Sequence, residues 1–237
     1  LARIAEAACG GGTPRVVEIG PGKGALTRHL LPLTEELHAI ELDRALIQRL
    51  ESQFGVDTRF HLHSGDVLAT DLAQWGPAVI VGNLPYYITS PIIDRFLELG
   101  ETFSRAVFLI QKEVADRLRA GPGSRDYGFF SVVTQMVADV RLVCEVPPNA
   151  FSPPPKVDSA VILLERKKDV PEDVRGLRQF LSRCFAHKRK TLRNNLRPFF
   201  PPALVDAVPE AGLRAEQLSL DQFRDLQQRL QDGPGRD

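Results

Sequence analysis

Residues 83–91 read NLPYYITSP and follow the apolar run AVIVG at 78–82. Asn83 offers a side-chain carbonyl, and Leu84 offers a backbone carbonyl beside it. Pro85 fixes φ and stiffens the turn that aims them. Tyr86 supplies a ring on which a nucleobase can stack, a contact worth roughly 1–3 kcal/mol per base. Together these suit an exocyclic amine such as adenine N6. That nitrogen is a poor nucleophile because its lone pair is delocalised into the ring. Accepting hydrogen bonds from both of its N–H groups localises the pair and points it at a carbon to be attacked. Positioning and desolvation then supply most of the rate, and no strong base is needed. A base taken out of its stack fits such a pocket. An isolated Asn-x-Pro-Tyr is as readily a plain turn with a core tyrosine, so its place in the fold decides its weight.

A second group of residues points to a nucleotide-like ligand. VVEIGPGKGAL (16–26) leaves an apolar strand through glycines and enters a helical stretch. Glycines allow a sharp turn and close approach of a ligand to the backbone. Gly20, Gly22 and Ala25 formally satisfy the dinucleotide fingerprint, a weak signal by itself. Glu41 in HAIELD ends the next strand and is placed to accept ribose hydroxyls, with Leu42 beside it. Asp66 in HSGDV ends the third and is placed to accept an adenine amine, with Val67 beside it. The carboxyl ends of parallel strands open onto one crevice. Gly20, Glu41, Asp66 and Asn83 are therefore expected to line one site. Glu18, two residues before Gly20, suits an ammonium or sulfonium better than a pyrophosphate. This leans toward S-adenosylmethionine over NAD without deciding between them.

These positions require a particular arrangement of elements. Strands are expected at 15–20, 37–42, 58–66, 78–84 and 105–111, alternating with helices at 26–33, 44–54, 90–99 and 112–120. Ser90 reads as an N-cap with Pro91 at the first helical position. Alternation of this kind predicts an α/β fold with a mostly parallel sheet and helices on both faces. After a Gly-rich loop at 121–128, expected to be mobile, a buried helix is expected at 129–138. Strands at 141–146 and 159–166 read as a hairpin-like unit closing the sheet edge. Short helices are expected at 175–186, 188–197, 202–211 and 219–231, punctuated by Pro171, Pro198, Pro201, Pro202 and Pro209. The domain reading is thus a Rossmann-like catalytic domain over 1–168 and a small all-α, RNA-binding domain over 169–237.

Composition narrows the classes. The 237 residues carry 30 Lys/Arg and 30 Asp/Glu, for a formal net charge of zero. Yet from Val174 to Val205 there are eight Lys/Arg and no Asp or Glu, the pattern of a polyanion-binding segment in a neutral protein. Lys188, Arg189, Lys190, Arg193 and Arg197 fall in one expected helix and fit phosphate contacts, which position RNA without reading it. Arg119, Arg125 and Lys156 are candidates to extend that surface. No apolar run is long enough to span a bilayer, and no signal peptide is visible. Three scattered cysteines suggest a reducing, cytoplasmic setting. The five histidines lack metal-ligand spacing, so no metal is expected. The chain begins at Leu1 and reads as starting inside a longer protein. A monomer is expected.

VVEIGPGKGALT, IELD, Gly65–Asp66, NLPYYITSP, LIQKEVADRLRAGPGSRDYG, EVPPNAFSPPPKVDSAV and FAHKRKTLRNNL, in this order along nearly the whole chain, resemble the KsgA family of small-subunit (16S) ribosomal RNA adenine dimethyltransferases. The resemblance implies a seven-stranded class I methyltransferase fold, S-adenosylmethionine, and transfer of two methyls to each of two neighbouring adenines near the 3′ end of that RNA. It assigns Gly20 to the donor's amino-acid end, Glu41 to its ribose and Asp66 to its adenine. It assigns Asn83, Leu84 and Tyr86 to the target base, with Phe151 packing on that base from another side. The family's upstream Gln-Asn-Phe-Leu motif, which helps enclose the donor, is not among these residues, which implies weaker donor binding. Tyr87 and Ile88 stand where Asn or His, then Ile or Val, are common. The rivals are a large-subunit rRNA adenine methyltransferase of the antibiotic-resistance type, which shares the NLPY-like motif, and a non-catalytic assembly factor that keeps the fold. A DNA adenine methyltransferase and an NAD-dependent oxidoreductase are weaker readings.

Overall fold

The structure is a computed structural model that describes residues 1–170 and 172–231. Pro171, one of the expected breaks, lies outside the described residues. Contacts divide the chain into two compact units, Leu1–Ala115 with Ala138–Arg166, and Asp116–Val137 with Lys167–Asp237.

The first unit is built on a seven-stranded sheet: β1 (Thr13–Ile19), β2 (Thr34–Glu41), β3 (Phe60–Ser64), β4 (Ala78–Asn83), β5 (Phe103–Gln111), β6 (Ala138–Val146) and β7 (Ser159–Arg166). The order is β3-β2-β1-β4-β5-β7-β6. The first five strands run parallel, and β7 pairs antiparallel with both β5 and β6. This is the α/β architecture, with a mostly parallel sheet, expected from the alternation, and its seven strands match the number the resemblance implies. Ala78 to Gly82 are all buried, as a central parallel strand covered on both faces requires. Chain direction along the sheet reverses between β1 and β4, the switch point where ligands bind in open α/β sheets.

Helices α1 (Ala2–Cys9), α2 (Thr27–Leu30), α3 (Arg44–Phe54) and α4 (Thr89–Glu98) connect these strands. Asp43 caps α3, its carboxylate accepting from the N–H of Ala45 at 2.8 Å, which satisfies donors the helix leaves open. The expected Ser90 cap is not formed. A 3-10 turn over Tyr86–Ile88 runs directly into α4, which starts at Thr89. The Thr89 hydroxyl donates to Pro85 O at 3.2 Å, so the turn before the helix organises its start and Ser90 lies inside the first turn.

The second unit is helical. It holds α6 (Phe129–Val137), α7 (Val174–Cys184), α8 (Leu192–Leu196), α9 (Pro202–Ala207) and α10 (Leu220–Gln231), and α5 (Lys112–Arg119) enters it at Asp116. Its core contains Leu177, Phe180, Leu181, Leu192, Leu196, Phe223 and Leu226, all buried. Residues 116–137, expected with the first domain, cluster here instead. The Ser131 hydroxyl donates to Arg117 O at 2.5 Å and Tyr127 OH to Leu218 O at 2.9 Å, which ties that segment to itself and to the C-terminal helices. The expected helix over 188–197 shrinks to Leu192–Leu196. Residues 187–190 form a turn, closed by Lys190 N–H donating to His187 O at 3.0 Å, and Thr191 is extended. No helix among the described residues is long and apolar enough to cross a membrane.

Gly82 on β4 faces Ile19 on β1 across the switch point. An added Cβ would sit 2.7 Å from Leu84 Cδ2 and 3.0 Å from Ile19 O. Gly82→Ala is expected to destabilise the chain by about 1–3 kcal/mol, read as a lowered urea midpoint at unchanged slope.

Candidate functional site

At the carboxyl ends of β1, β2 and β3 lies a cavity of about 370 Å³, within the range of small-molecule sites. Gly20, Glu41, Leu42, Asp66 and Val67 line it, as the sequence predicts, together with Pro85 from the turn after β4. Ile19 and Ile40 add apolar wall. Gly20 and Gly22 sit at φ +65° and +59°, a conformation that glycine adopts without strain. It turns the chain back over the strand ends, and Gly20 N–H donates to Ile40 O at 3.0 Å.

Glu41 is 8% exposed. One carboxylate oxygen accepts from Gly22 N–H at 3.1 Å, and the other from Leu42 N–H at 2.9 Å and Asp43 N–H at 3.0 Å. Three donors fix its orientation and leave acceptor capacity, since a carboxylate offers about four lone-pair positions. Asp66 is exposed, and one of its oxygens accepts from Leu68 N–H at 2.8 Å. Arg95 of α4 donates to Thr70 O at 2.7 Å and to Leu68 O, holding the chain that follows Asp66.

Glu18 and Gly22 are not among the residues that line the cavity. Glu18 is 1% exposed and accepts from the Thr27 hydroxyl at 2.7 Å. Its side chain is a buried acid of the loop and not an open acceptor. Burial pushes its carboxyl up to about 7, opposed by the Thr27 bond and assisted by the charge of Glu41.

Asn83 ends β4, exposed, paired across the sheet with Leu109. It is not part of the cavity lining, but the turn that follows it is. Leu84 is buried, with its N–H donating to Leu109 O at 3.1 Å. Ile88 N–H closes the turn on Pro85 O at 3.1 Å. Tyr86 is 38% exposed, and its hydroxyl lies 3.0 Å from the Ser159 hydroxyl at the start of β7. That contact is invisible in the sequence because 73 residues separate the partners. Tyr87, taken from sequence as ordinary variation, is 83% exposed and lines the cavity with Ile88. Phe151 is half-buried and packs on the edge of the sheet's apolar core.

The basic candidates divide. Lys156 is exposed on the loop before β7 in the first unit; Arg119 is exposed at the end of α5, in the second. Lys188, Arg189 and Lys190 are exposed on the turn before α8. Arg193 and Arg197 are instead engaged by Asp206, just past the acid-free stretch, at 2.9 and 2.8 Å. Asn195 is buried and donates to Cys184 O at 2.8 Å, a structural role. The loop after α5, expected to be mobile, is anchored by Gly123 N–H on Glu216 O at 2.8 Å and by buried Tyr127.

Among the described residues, no group of three or more His, Cys, Asp or Glu is placed to hold a metal ion. Three histidines nevertheless meet: His38 lies 3.1 Å from His63 and stacks on His61 and Trp75. Burial lowers the His38 pKa to about 4, so its ring is neutral at ordinary pH.

The seven-stranded sheet, parallel over β1 to β5, with a carboxylate-lined cavity at its switch point, gives a Rossmann-like α/β fold. Residues 2–232 match the family described as Ribosomal RNA adenine dimethylase. The Ribosomal RNA small subunit methyltransferase A of Acidobacterium capsulatum is 43% identical over 250 residues, covering 97% of this chain and 88% of that protein. The crystal structure of a dimethyladenosine transferase from Plasmodium falciparum superposes with a TM-score of 0.81 at 26% identity, covering 95% and 93% of the two chains. That of the 23S rRNA methyltransferase ErmE gives 0.74 at 28% identity, covering 98% and 96%. The chain is a methyltransferase and belongs to the ribosomal RNA adenine dimethylase family.

Glu18 provides a test of the site's electrostatics. Its folded pKa is raised, so wild-type stability is fullest below the unfolded value and falls as pH rises from about 4.5 to about 7. Glu18→Gln removes this loss. The variant should gain on wild type across that window by at most about 3 kcal/mol and hold a constant advantage above it, read from urea midpoints at pH 4.5, 6 and 8.

Proposed function

We propose that this chain transfers methyl groups from S-adenosylmethionine to N6 of two adjacent adenosines near the 3′ end of small-subunit (16S) ribosomal RNA, giving N6,N6-dimethyladenosine. The observation that carries the reading is the meeting of two groups of residues at one end of the sheet. Glu41 and Asp66 open onto a cavity whose wall includes Pro85, in the turn that presents Asn83 and Tyr86.

The cavity residues fit the donor. Glu41 presents an oriented carboxylate for vicinal ribose hydroxyls, and exposed Asp66 presents an acceptor for an adenine amine. Ile19, Ile40, Leu42 and Val67 provide apolar wall for a flat base, and the glycine loop allows close backbone approach. When bound, S-adenosylmethionine supplies an electrophilic methyl group on a sulfonium.

The chain's own residues prepare the acceptor. The Asn83 side-chain carbonyl and the Leu84 carbonyl accept the two hydrogens of the target amine and localise its lone pair. Tyr86 stacks on the base, and its hydroxyl contact with Ser159 limits rotation of the ring. Pro85 fixes the distance between acceptors and ring. Phe151 covers the base from another side, and its seat on the apolar core keeps its position fixed. The amine's proton leaves after transfer, so orientation supplies the catalysis. Lys188, Arg189 and Lys190, with Arg125, Arg119 and Lys156, hold RNA phosphates. The protein acts as a monomer in the cytoplasm without a metal, in small-subunit biogenesis.

The named relative with 43% identity supports the small-subunit target. The likeness to ErmE at 28% identity keeps the large subunit as the competing substrate. Labelled S-adenosylmethionine offered to unmethylated small and large subunits decides between them: dimethyladenosine is expected in small-subunit RNA alone. Label in the large subunit selects the rival, and RNA binding without label selects an assembly factor. Asn83→Ala should lower transfer at least about a hundredfold, a loss of the order seen when a positioned catalytic hydrogen-bonding group is removed, with an unchanged melting temperature. Near-normal turnover would sink the mechanism.

A further inference from the structure

The second unit holds a cavity of about 370 Å³ whose lining shares no residue with the first cavity. Cations reach it from three segments: Arg117 on α5, Arg125 on the following loop and Lys188 on the basic turn. Two carboxylates, Asp126 and Glu216, also line it, as do the half-buried rings of Phe129 and Phe185. The walls are fixed by hydrogen bonds. The Gln135 amide donates to Leu118 O and Ala120 O at 2.8 Å each, and Ser131 donates to Arg117 O, joining α6 to the end of α5. The Tyr127 hydroxyl and Gly123 N–H fasten the loop to Leu218 and Glu216. A pocket formed before binding avoids much of the ordering cost.

We propose that this cavity is a nucleotide pocket in its own right, taking one unstacked nucleotide of the substrate RNA whose base carries an exocyclic amino group. Cations alone would describe a phosphate patch, but two carboxylates in the same wall weaken phosphate binding. They are explained by a ligand with donors of its own. Cytosine, adenine and guanine present an amino group that a carboxylate accepts. Uracil instead flanks its single ring N–H with two carbonyl oxygens, which a carboxylate repels. The phenyl rings supply the stacking surface that single-stranded RNA recognition uses. Phosphate to the cations, amine to a carboxylate and base to a ring account for all three kinds of wall. The proposal rests on the reading that RNA is this chain's substrate.

The test is calorimetric binding of the tetranucleotides rC4 and rU4 to the whole chain and its variants. Wild type should prefer rC4 roughly tenfold, the scale of a hydrogen bond to a charged group. Asp126→Ala with Glu216→Ala should tighten rU4 and abolish the preference. The Glu216 substitution leaves in place the backbone carbonyl that Gly123 uses. If the alanine pair does not fold, the isosteric pair Asp126→Asn and Glu216→Gln should reduce the preference. Lys188→Ala should weaken both oligonucleotides and flatten the salt dependence. Equal wild-type affinities, or a preference unchanged when both carboxylates are gone, would overturn the pocket. Methyl transfer to small subunits is measured separately. Intact transfer without an oligonucleotide preference removes the pocket alone, and a preference without transfer removes the proposed function alone.

Discussion

The Glu41 carboxylate holds the loop after β1 to the end of β2. Gly22 reaches it from the loop, while Leu42 and Asp43 reach it from the strand's own exit. A carboxylate so nearly buried is tolerated because its oxygens are hydrogen-bonded. Its location follows from the sheet. Parallel pairing of β1 with β2 sets Ile19 opposite Ile40, which brings the glycine turn level with the residue after Ile40. The positive φ angles at Gly20 and Gly22 then fold the loop onto that carboxylate. Cavity shape and the orientation of its principal acceptor therefore have one cause.

The two buried acids of this region differ in the donors they receive. Glu41 receives three backbone N–H groups, each carrying partial positive charge. Glu18 receives one hydroxyl, and its carboxyl is raised to about 7, chiefly by burial. Glu41 is thus oriented by the backbone at the cavity wall, while Glu18 is a buried acid of the loop. Glu18 lies two residues before the loop, so reading it as a direct contact was reasonable from spacing alone. Thr27 decides otherwise: its hydroxyl donates to the Glu18 carboxylate at 2.7 Å, and the side chain is buried outside the cavity lining.

What the sequence made legible follows from the range of each interaction. Strands, α3 and the switch-point site rest on local pattern and on one topological rule, and Gly20, Glu41 and Asp66 do share a cavity. Several of the failures involve partners distant in sequence. Residues 116–137 carry helical and loop patterns that fit either unit. Their allegiance is set by Tyr127 meeting Leu218, 91 residues away. Arg193 and Arg197 read as free cations because no acid lies between Val174 and Val205, yet Asp206 follows immediately and a helix turn brings it back. Ser159 lies in the FSPPPKVDSAV motif, but its contact with Tyr86 is set by β7 lying beside β5.

Those corrections sharpen the electrostatic picture of RNA binding. The acid-free segment is not a uniform basic helix. Arg183 lies over the Phe199 ring at 4.8 Å and Arg178 over Phe129 at 5.8 Å, and Arg193 and Arg197 are held by Asp206. Lys188, Arg189 and Lys190 remain on one short exposed turn. On the proposed function, these three adjacent cations make phosphate contacts that fix position but carry no sequence information. Under the same reading, recognition of the target adenosine falls to groups that meet its base edge, the acceptors proposed at Asn83 and Leu84 in the first unit. On the proposed function, the target acceptors Asn83 and Leu84 lie in the first unit and the turn of Lys188, Arg189 and Lys190 in the second, so a charge change on that turn is expected to alter RNA affinity without altering the acceptors.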